Sequence, residues 1–164
     1  MEHLARQAIG GNEDSFVFLC NLLKTKLFRT AIGILGNESL ALDAVSETVF
    51  RAFKGIKRLR EPKFAETWFI RIMINVAKDF LRRQKHEITM KKVPEGVYHE
   101  NHSEMEFNQI IESLQPDLRE IISLKYYSGH TLNEIAEILK IPEGTVKSRL
   151  NRALNLLRLE VMND

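Results

Sequence analysis

The sequence predicts an all-α protein in which two small helical domains are joined by a flexible linker. Apolar residues recur at helical spacing along most of the 164 residues, and no segment shows the alternation of apolar and polar residues that marks a strand. Between residues 87 and 103 this periodicity gives way to polar residues with Pro94 and Gly96, which is typical of a linker. We therefore predict an N-terminal domain at residues 1–86 and a C-terminal domain at residues 104–164.

Glycine and polar residues mark the breaks between the predicted helices. The first break, at Gly10 and Gly11, follows a short helix. The next breaks fall at Gly36 and Asn37 and at residues 60–63. The remaining helices are predicted near residues 12–34, 38–59, 65–84, 104–113, 117–128, 131–139 and 143–161.

Composition restricts the kind of protein. An apolar content of 44% supports a buried core, and the chain lacks the run of about 18 apolar residues that a membrane span needs. Residues 1–9 carry charges and lack the apolar stretch of a signal peptide. Cys20 is the only cysteine and lies among large apolar residues, so we predict a small buried residue, no disulfide and an intracellular setting.

The net charge of +2 conceals an uneven distribution of charge along the chain. Residues 1–86 hold 15 Lys/Arg against 9 Asp/Glu, whereas residues 87–115 hold 2 against 6. Residues 116–164 hold 7 of each, with the positive charge gathered on the last helix. Two basic surfaces separated by an acidic connector predict a protein that contacts a polyanion twice.

Residues 131–157 predict two helices joined by a tight turn. Thr131, followed three residues later by Glu134, forms a capping box that marks the start of the first helix. Pro142 is compatible only with a position at or just before the first turn of the second helix. The apolar residues at helical spacing are Leu132, Ile135, Ala136 and Leu139 on the first helix and Val146, Leu150, Ala153 and Leu157 on the second.

Opposite its apolar stripe, the second helix of this pair carries hydroxyl, amide and cationic side chains. Such groups reach both base edges and phosphates, so we predict a recognition helix that lies against DNA. The alternative is a helical hairpin with a solvated cationic face. The predicted DNA-binding residues are Thr145, Lys147, Ser148, Arg149, Asn151 and Arg152, with Arg149 on the flank.

A second candidate surface lies on the predicted helix at residues 65–84. Its apolar stripe should face the core and comprises Phe69, Ile72, Met73, Val76 and Phe80. The opposite side carries Trp68, Arg71, Asn75, Lys78 and Arg82, and the preceding loop adds Phe64 among further cations. This mixture suits single-stranded nucleic acid, because rings stack on unpaired bases while cations hold the backbone. Periodicity is equally compatible with a Trp68 ring that packs under a neighbouring helix.

The predicted helix at residues 38–59 has a different outer face. Its inward residues are Val45, Val49, Ala52 and Ile56, and its outward residues are Asp43, Glu47, Phe50 and Lys54. Acidic residues beside an exposed aromatic ring would repel DNA and suit a protein-binding surface. Periodicity alone favours the simpler alternative of a charged helix whose Phe50 contacts a neighbour.

The chain contains no motif that indicates catalysis. There is no phosphate-cradling glycine loop, no nucleophile–base pair and no carboxylate cluster left unexplained, so we predict no enzyme activity, no catalytic residue and no cofactor. His99 and His102 have the spacing of a metal-binding pair, but no further ligands cluster near them in the sequence. No metal site is predicted.

Three segments, in this order, resemble the extracytoplasmic-function (ECF) group of bacterial RNA polymerase sigma factors. ALDAVSETVF at residues 41–50 resembles the core-polymerase-binding segment of sigma region 2, and ETWFIRIMINVAKDFLRR at residues 66–83 resembles the helix that melts the promoter and reads its minus-10 element. EIAEILKIPEGTVKSRLNRALNLLR at residues 134–158 resembles region 4, which reads the minus-35 element. The resemblance implies a sigma factor that binds core RNA polymerase, directs it to specific promoters and promotes DNA melting.

The resemblance also implies a role for each surface. Asp43, Glu47 and Phe50 would contact the core polymerase. The residues implied along the minus-10 element are Phe64, Trp68, Arg71, Asn75, Lys78 and Arg82. Those implied at the minus-35 element are Thr145, Lys147, Ser148, Arg149, Asn151 and Arg152. Within the core-binding motif the family usually has an acidic residue and a glutamine where this chain has Leu42 and Ser46, a departure that bears on the core contacts.

Members of this group are commonly held inactive by a cognate anti-sigma factor, which is often anchored in the membrane. The resemblance therefore implies such a partner, a cytoplasmic location and no direct membrane insertion of this chain. Two other classes remain open from the residues. One is a helix-turn-helix regulator that binds duplex sites as a dimer without polymerase, and the other is an adaptor that binds polymerase without initiating.

Overall fold

The computed structural model describes residues 1–90, 111 and 113–163, with side chains for residues 1–85, 111 and 113–159. Within that part of the chain the structure is helical, which confirms the all-α class. Most of the predicted linker and most of the helix predicted at 104–113 lie outside the described residues. The helices are α1 (Glu2–Ile9), α2 (Glu13–Leu35), α3 (Glu38–Gly55), α4 (Ala65–Met90), α5 (Pro116–Ile122), α6 (Leu132–Leu139) and α7 (Glu143–Asn163).

Local caps account for the boundary between α2 and α3. Gly36 ends α2 in the left-handed conformation, with φ at 64°, which glycine adopts without strain. The side chain of the next residue, Asn37, accepts a hydrogen bond from the Leu40 backbone N–H at 2.9 Å. The loop predicted at Gly36 and Asn37 is thereby confirmed.

Helix α3 is shorter than predicted. It ends at Gly55, and residues Ile56–Arg58 form a 3₁₀ turn. A Cβ atom built on Gly55 would lie 3.2 Å from Cζ2 of Trp68, so the glycine makes room for the indole ring. The indole ring of Trp68, on α4, thus packs directly against the backbone at the end of α3.

Helix α4 is longer than predicted, and its described part runs to Met90. Residues 87–90, which the sequence analysis places in the linker, therefore belong to this helix. The physical reason is that no glycine or proline interrupts the chain between the predicted end of the helix and Pro94.

Helices α1–α4, called the N-terminal helices below, enclose a core of large side chains. Leu19, Leu23 and Leu27 of α2 and Phe69 and Met73 of α4 are fully buried. The buried stripe of α3 differs from the prediction, because Val45 and Val49 are only half-buried. Its most buried residues are Ala41, Ala44, Thr48 and Ala52, small side chains that let α3 approach α2 and α4 closely.

Helices α5–α7, called the C-terminal helices below, include a π-helical turn. Ser123–Tyr127 continue α5 with this wider turn, and the buried apolar side chains of both helix groups belong to one cluster. The π turn packs against α2, and α6 packs against α4. None of the described helices combines the length and apolarity needed to cross a membrane.

Candidate nucleic-acid interface

The turn between α6 and α7 has the geometry of a helix-turn-helix. The backbone N–H of Thr131 donates to Oε2 of Glu134 at 2.7 Å, and the Glu134 N–H donates to Oγ1 of Thr131 at 3.3 Å, which confirms the capping box. Helix α6 ends at Leu139, and its C-cap Lys140 has a left-handed backbone with φ at 56°. The Pro142 carbonyl then accepts the Val146 N–H at 3.1 Å and begins α7.

Helix α7 packs against the rest of the fold through the apolar stripe that the sequence predicts. Val146 and Ala153 are fully buried, Leu150 is nearly so, and Leu157 is half-buried. The polar side of the helix consequently faces outward. Lys147, Ser148, Asn151 and Arg152 are exposed, whereas Thr145 and Arg149 are half-buried. The structure thus brings the six predicted residues together on one face.

Two weak ion pairs and one hydrogen bond involve residues on this polar face of α7. Nζ of Lys147 lies 2.9 Å from Oε1 of Glu143, and Nε of Arg149 lies 3.4 Å from Oδ2 of Asp117. The Ser148 hydroxyl donates to the Thr145 carbonyl at 3.0 Å. Exposed ion pairs of this kind contribute about 0–1 kcal/mol, so the phosphates of a DNA duplex can displace them.

The predicted single-strand surface on α4 is only partly exposed. Asn75, Lys78 and Arg82 are exposed, and Phe64 lies exposed before the helix. Trp68 is half-buried, with its ring centroid 5.4 Å from that of Phe69 at an interplanar angle of 87°. One part of the indole surface therefore belongs to the packing of the N-terminal helices.

Two of the cations on this surface contact the C-terminal helices. Nε of Arg71 donates to the Ile138 carbonyl at 3.0 Å, and its guanidinium also donates to the Glu137 carbonyl. Nζ of Lys78 lies 2.8 Å from Oε1 of Glu120. No pattern in the sequence indicates these contacts, because they join residues more than 40 positions apart.

The outer face of α3 is more apolar than the sequence indicated. Phe50 is 52% exposed with Nζ of Lys54 4.2 Å from its ring centroid, and Leu42 is 54% exposed. Asp43 is exposed, while the half-buried Glu47 lies 2.6 Å from Nε of Arg51. Leu42 and Phe50 are eight residues apart, which places them on the same side of a helix. The face combines a ring, an aliphatic side chain and two carboxylates.

Cys20 has no feature of a reactive or ligating thiol. Burial raises the pKa of the Cys20 thiol to about 11, which disfavours the thiolate. Within the part of the chain that the structure describes, no group of three or more His, Cys, Asp or Glu side chains could hold a metal ion. His99 and His102 lie outside the described residues.

His130 is a titratable side chain that sequence reasoning missed. It is 3% exposed, and burial lowers its pKa, with the nearby charge of Lys26 lowering it further. Glu66 and Glu134 act in the opposite direction but are outweighed. A proton is therefore bound more weakly by His130 in the folded chain than in the unfolded chain.

We expect stability to fall as the pH falls from 7.5 to 5.5. In this window the unfolded chain binds a proton at His130 that the folded chain excludes, so the loss is at most about 1.4 kcal/mol per pH unit below about pH 6.5. Urea unfolding at several pH values measures it, and His130→Gln should flatten the slope. A slope unchanged in that variant would contradict the assignment. Glu134 does not interfere, because the Thr131 N–H lowers its pKa below 4.5 and its contribution is lost only at lower pH.

The fold and this interface define an all-α DNA-binding protein with a helix-turn-helix and a second cationic surface. The family model described as Sigma-70 region 2 matches residues 19–87, and that described as Sigma-70, region 4 matches residues 104–157. The chain belongs to the extracytoplasmic-function (ECF) group of RNA polymerase sigma factors. Its function is to bind core RNA polymerase and direct it to promoter DNA, so it is an initiation factor and not an enzyme.

Similar proteins span nearly the whole chain. RNA polymerase sigma factor SigV of Bacillus subtilis is 30% identical over 86% of this chain and 87% of its own length. ECF RNA polymerase sigma factor SigW of the same organism is 30% identical over 95% and 94%, respectively. The solved structure of the sigma factor RpoE in complex with the anti-sigma factor NepR from Bartonella quintana has the same fold, with a TM-score of 0.72, 24% identity and coverage of 90% of this chain and 98% of that one.

Proposed function

We propose that α7 reads the minus-35 element as duplex DNA. The observation that carries this proposal is the exposed polar face of α7, held outward by the fully buried Val146 and Ala153 behind it. The six residues that bind bases or phosphates are Thr145, Lys147, Ser148, Arg149, Asn151 and Arg152. Residues 104–164 then form the region 4 domain, and residues 1–86 form the region 2 domain with residues 87–103 as the connection.

The proposed role of α4 and its preceding loop is to hold the unpaired non-template strand of the minus-10 element. Phe64 and the exposed part of Trp68 stack on bases, while the cations hold the backbone. The side chains assigned to this strand are Phe64, Trp68, Arg71, Asn75, Lys78 and Arg82. Strand separation is driven by this binding energy and needs no nucleotide hydrolysis.

The outer face of α3 is the proposed contact with core polymerase, through Asp43, Glu47 and Phe50. Leu42 extends the apolar part of this face, because it is exposed on the same side of the helix. Ser46, one turn from both Leu42 and Phe50, is exposed, and its hydroxyl donates back to the Leu42 carbonyl at 3.1 Å. Apolar contact thus takes the place of the acidic and glutamine side chains usual in the family.

Phe50→Ala should weaken binding to core polymerase. Removal of an exposed aromatic anchor from an interface costs about 1–2 kcal/mol, or about 5–30-fold in affinity. Titration of core polymerase with labelled protein measures the change. Tyr126→Ala is the matched control, because Tyr126 is an exposed ring on the C-terminal helices. Equal losses in the two variants, or no loss in either, would contradict the role of α3.

A cognate anti-sigma factor is a further proposed partner. The support is that RpoE of Bartonella quintana, which shares this fold, was solved in complex with the anti-sigma factor NepR. We place the chain in the cytoplasm, where RNA polymerase acts, with membrane association only through such a partner.

Transcription from a pooled library of promoter fragments tests the whole proposal. Purified core polymerase is supplied with and without this protein, and transcript starts are sequenced. New starts that share two spaced upstream elements are expected. Co-elution with core polymerase without new starts would instead indicate an adaptor, and the absence of both would contradict the proposed assignment of the three surfaces.

A further inference from the structure

We propose that Arg51 is a positioning residue for two surfaces, because it holds Glu47 for the contact with core polymerase and balances the charge beside Arg82 for the minus-10 strand. This inference rests on the proposed function, since it concerns how those two surfaces are built. Arg51 lies on α3, and it belongs neither to the core contact nor to the strand-binding surface. The ion pairs that it makes join the two surfaces through one row of four charged side chains.

The Arg51 guanidinium bridges two carboxylates on two helices. Its Nε donates to Oε1 of Glu47 at 2.6 Å, one turn away on α3, and its Nη1 donates to Oδ2 of Asp79 on α4 at 3.0 Å. A guanidinium presents its donors in a rigid planar fork, so these two bonds restrict the positions of both carboxylates. Glu47 is thereby held in one arrangement on the outer face of α3.

Asp79 is shared between two arginines. Its Oδ2 accepts from Arg51, and its Oδ1 accepts from Nη2 of Arg82, three residues further along α4. The hydrogen bond from Arg51 lowers the pKa of the Asp79 carboxyl, while burial opposes this shift and Arg82 adds a smaller contribution to it. Asp79 is therefore ionised, and its negative charge lies beside a proposed contact for DNA phosphates.

Exposure distinguishes the roles of the two arginines. The Arg82 side chain is 76% exposed, whereas that of Arg51 is 34% exposed and has two of its nitrogens occupied. Arg82 can turn to a phosphate, since an exposed ion pair of this kind holds it only weakly. Arg51 instead acts on the strand-binding surface through Asp79.

The balance of charge explains why the strand-binding surface needs Arg51. Glu47, Arg51, Asp79 and Arg82 together carry two positive and two negative charges. Without Arg51 the group has a net negative charge, and Arg82 is left as the only arginine paired with Asp79. A net negative charge opposes the binding of a polyanion, and Arg82 is drawn towards Asp79 and away from a phosphate.

Arg51→Gln in the full-length chain removes the bridge. We expect the affinity for core polymerase and the affinity for a labelled pool of random single-stranded DNA each to fall about fivefold. Adding Asp79→Asn removes the unbalanced carboxylate, so strand binding should return to within about twofold of the native value while core binding stays weak. Asp79→Asn alone should bind the strand at least as tightly as the native chain, because Arg82 is released.

Two further variants separate charge, geometry and folding. Arg51→Lys keeps the charge but lacks the planar fork, so strand binding should stay within about twofold of the native value while core binding still falls. Arg6→Gln is the matched control, because Arg6 donates to Glu2 at 3.0 Å across the same four-residue spacing on α1. It should change either affinity by less than about twofold.

Native affinity of Arg51→Gln for either core polymerase or the strand would overturn the inference. A loss of strand binding that Asp79→Asn does not restore would overturn it as well, since a direct contact of Arg51 with DNA or a loss of folding would then be the explanation. Failure of the proposed function is distinguishable, because the native chain itself would then fail to bind core polymerase or to direct transcription. Failure of this inference alone leaves those native activities intact.

Discussion

Phe69→Ala should lower the free energy of unfolding by about 3–5 kcal/mol, because it leaves a cavity where a whole ring is removed from the core. Phe69 is fully buried, and its ring lies 6.1 Å from that of Phe16 and 5.4 Å from that of Trp68 between centroids. A loss of this size is a large share of the stability of a small protein, which is about 5–15 kcal/mol. Urea unfolding of the full-length chain measures it.

Phe50→Ala is the matched control for this cavity. The Phe50 ring is half exposed and contacts a lysine rather than the core, so its loss should cost at most about 1 kcal/mol of stability. The two variants thus separate an effect on folding from an effect on binding, since only Phe50 belongs to the proposed contact with core polymerase. A similar loss of stability in both variants would contradict the burial assigned to Phe69.

The helix-turn-helix was predictable in detail because its signals are local. The capping box at Thr131 and Glu134 and the position of Pro142 depend on residues within one or two turns of each other. Val146 and Ala153 follow the helical period of a helix that is buried on one side only. Local signals of this kind do not depend on the rest of the fold.

Burial was predicted less well where a helix packs on two sides. Ile138 of α6 is buried although it lies off the predicted stripe, because α6 packs against α4 as well as α7. Ile70 and Ile74 of α4 are buried for a related reason, since α2, α3 and α6 all pack against this helix. A single apolar stripe predicts burial against one neighbouring helix, and the sequence does not indicate how many helices pack against a given helix.

The candidate strand-binding surface illustrates the same limit for polar residues. Spacing alone placed Arg71 and Lys78 on one side of α4, and the structure agrees. Their partners, the α6 carbonyls and Glu120, could not be predicted, because periodicity gives the face of a helix but not what lies opposite. Trp68 is an intermediate case, since periodicity left open whether its ring packs under a neighbouring helix and did not indicate that Gly55 lies against the ring.

Arg152→Ala should weaken binding to a minus-35 duplex by about 1–3 kcal/mol, or about 5–150-fold, if this side chain reads a base. Arg152 is exposed on the polar face of α7, and its long side chain can reach a groove without disturbing the core. Arg149 should have a smaller effect, because its interaction with Asp117 must be given up when DNA binds. Titration against the minus-35 element found in the transcription experiment measures both.

The salt dependence of binding determines which kind of contact Arg152 makes. A phosphate contact should lower affinity for all sequences alike and reduce the slope of log affinity against log salt by about 1, whereas a base contact should relax the preference at one position. Arg6→Ala is the control for a simple loss of charge, because Arg6 is exposed on α1 and pairs with Glu2 at 3.0 Å. Equal weakening by Arg6→Ala and Arg152→Ala would mean that α7 contributes only charge. Weakening confined to Arg152→Ala would instead make the polar face of α7 the element that selects promoters, since Arg6 and Arg152 carry the same charge and differ only in where the fold places them.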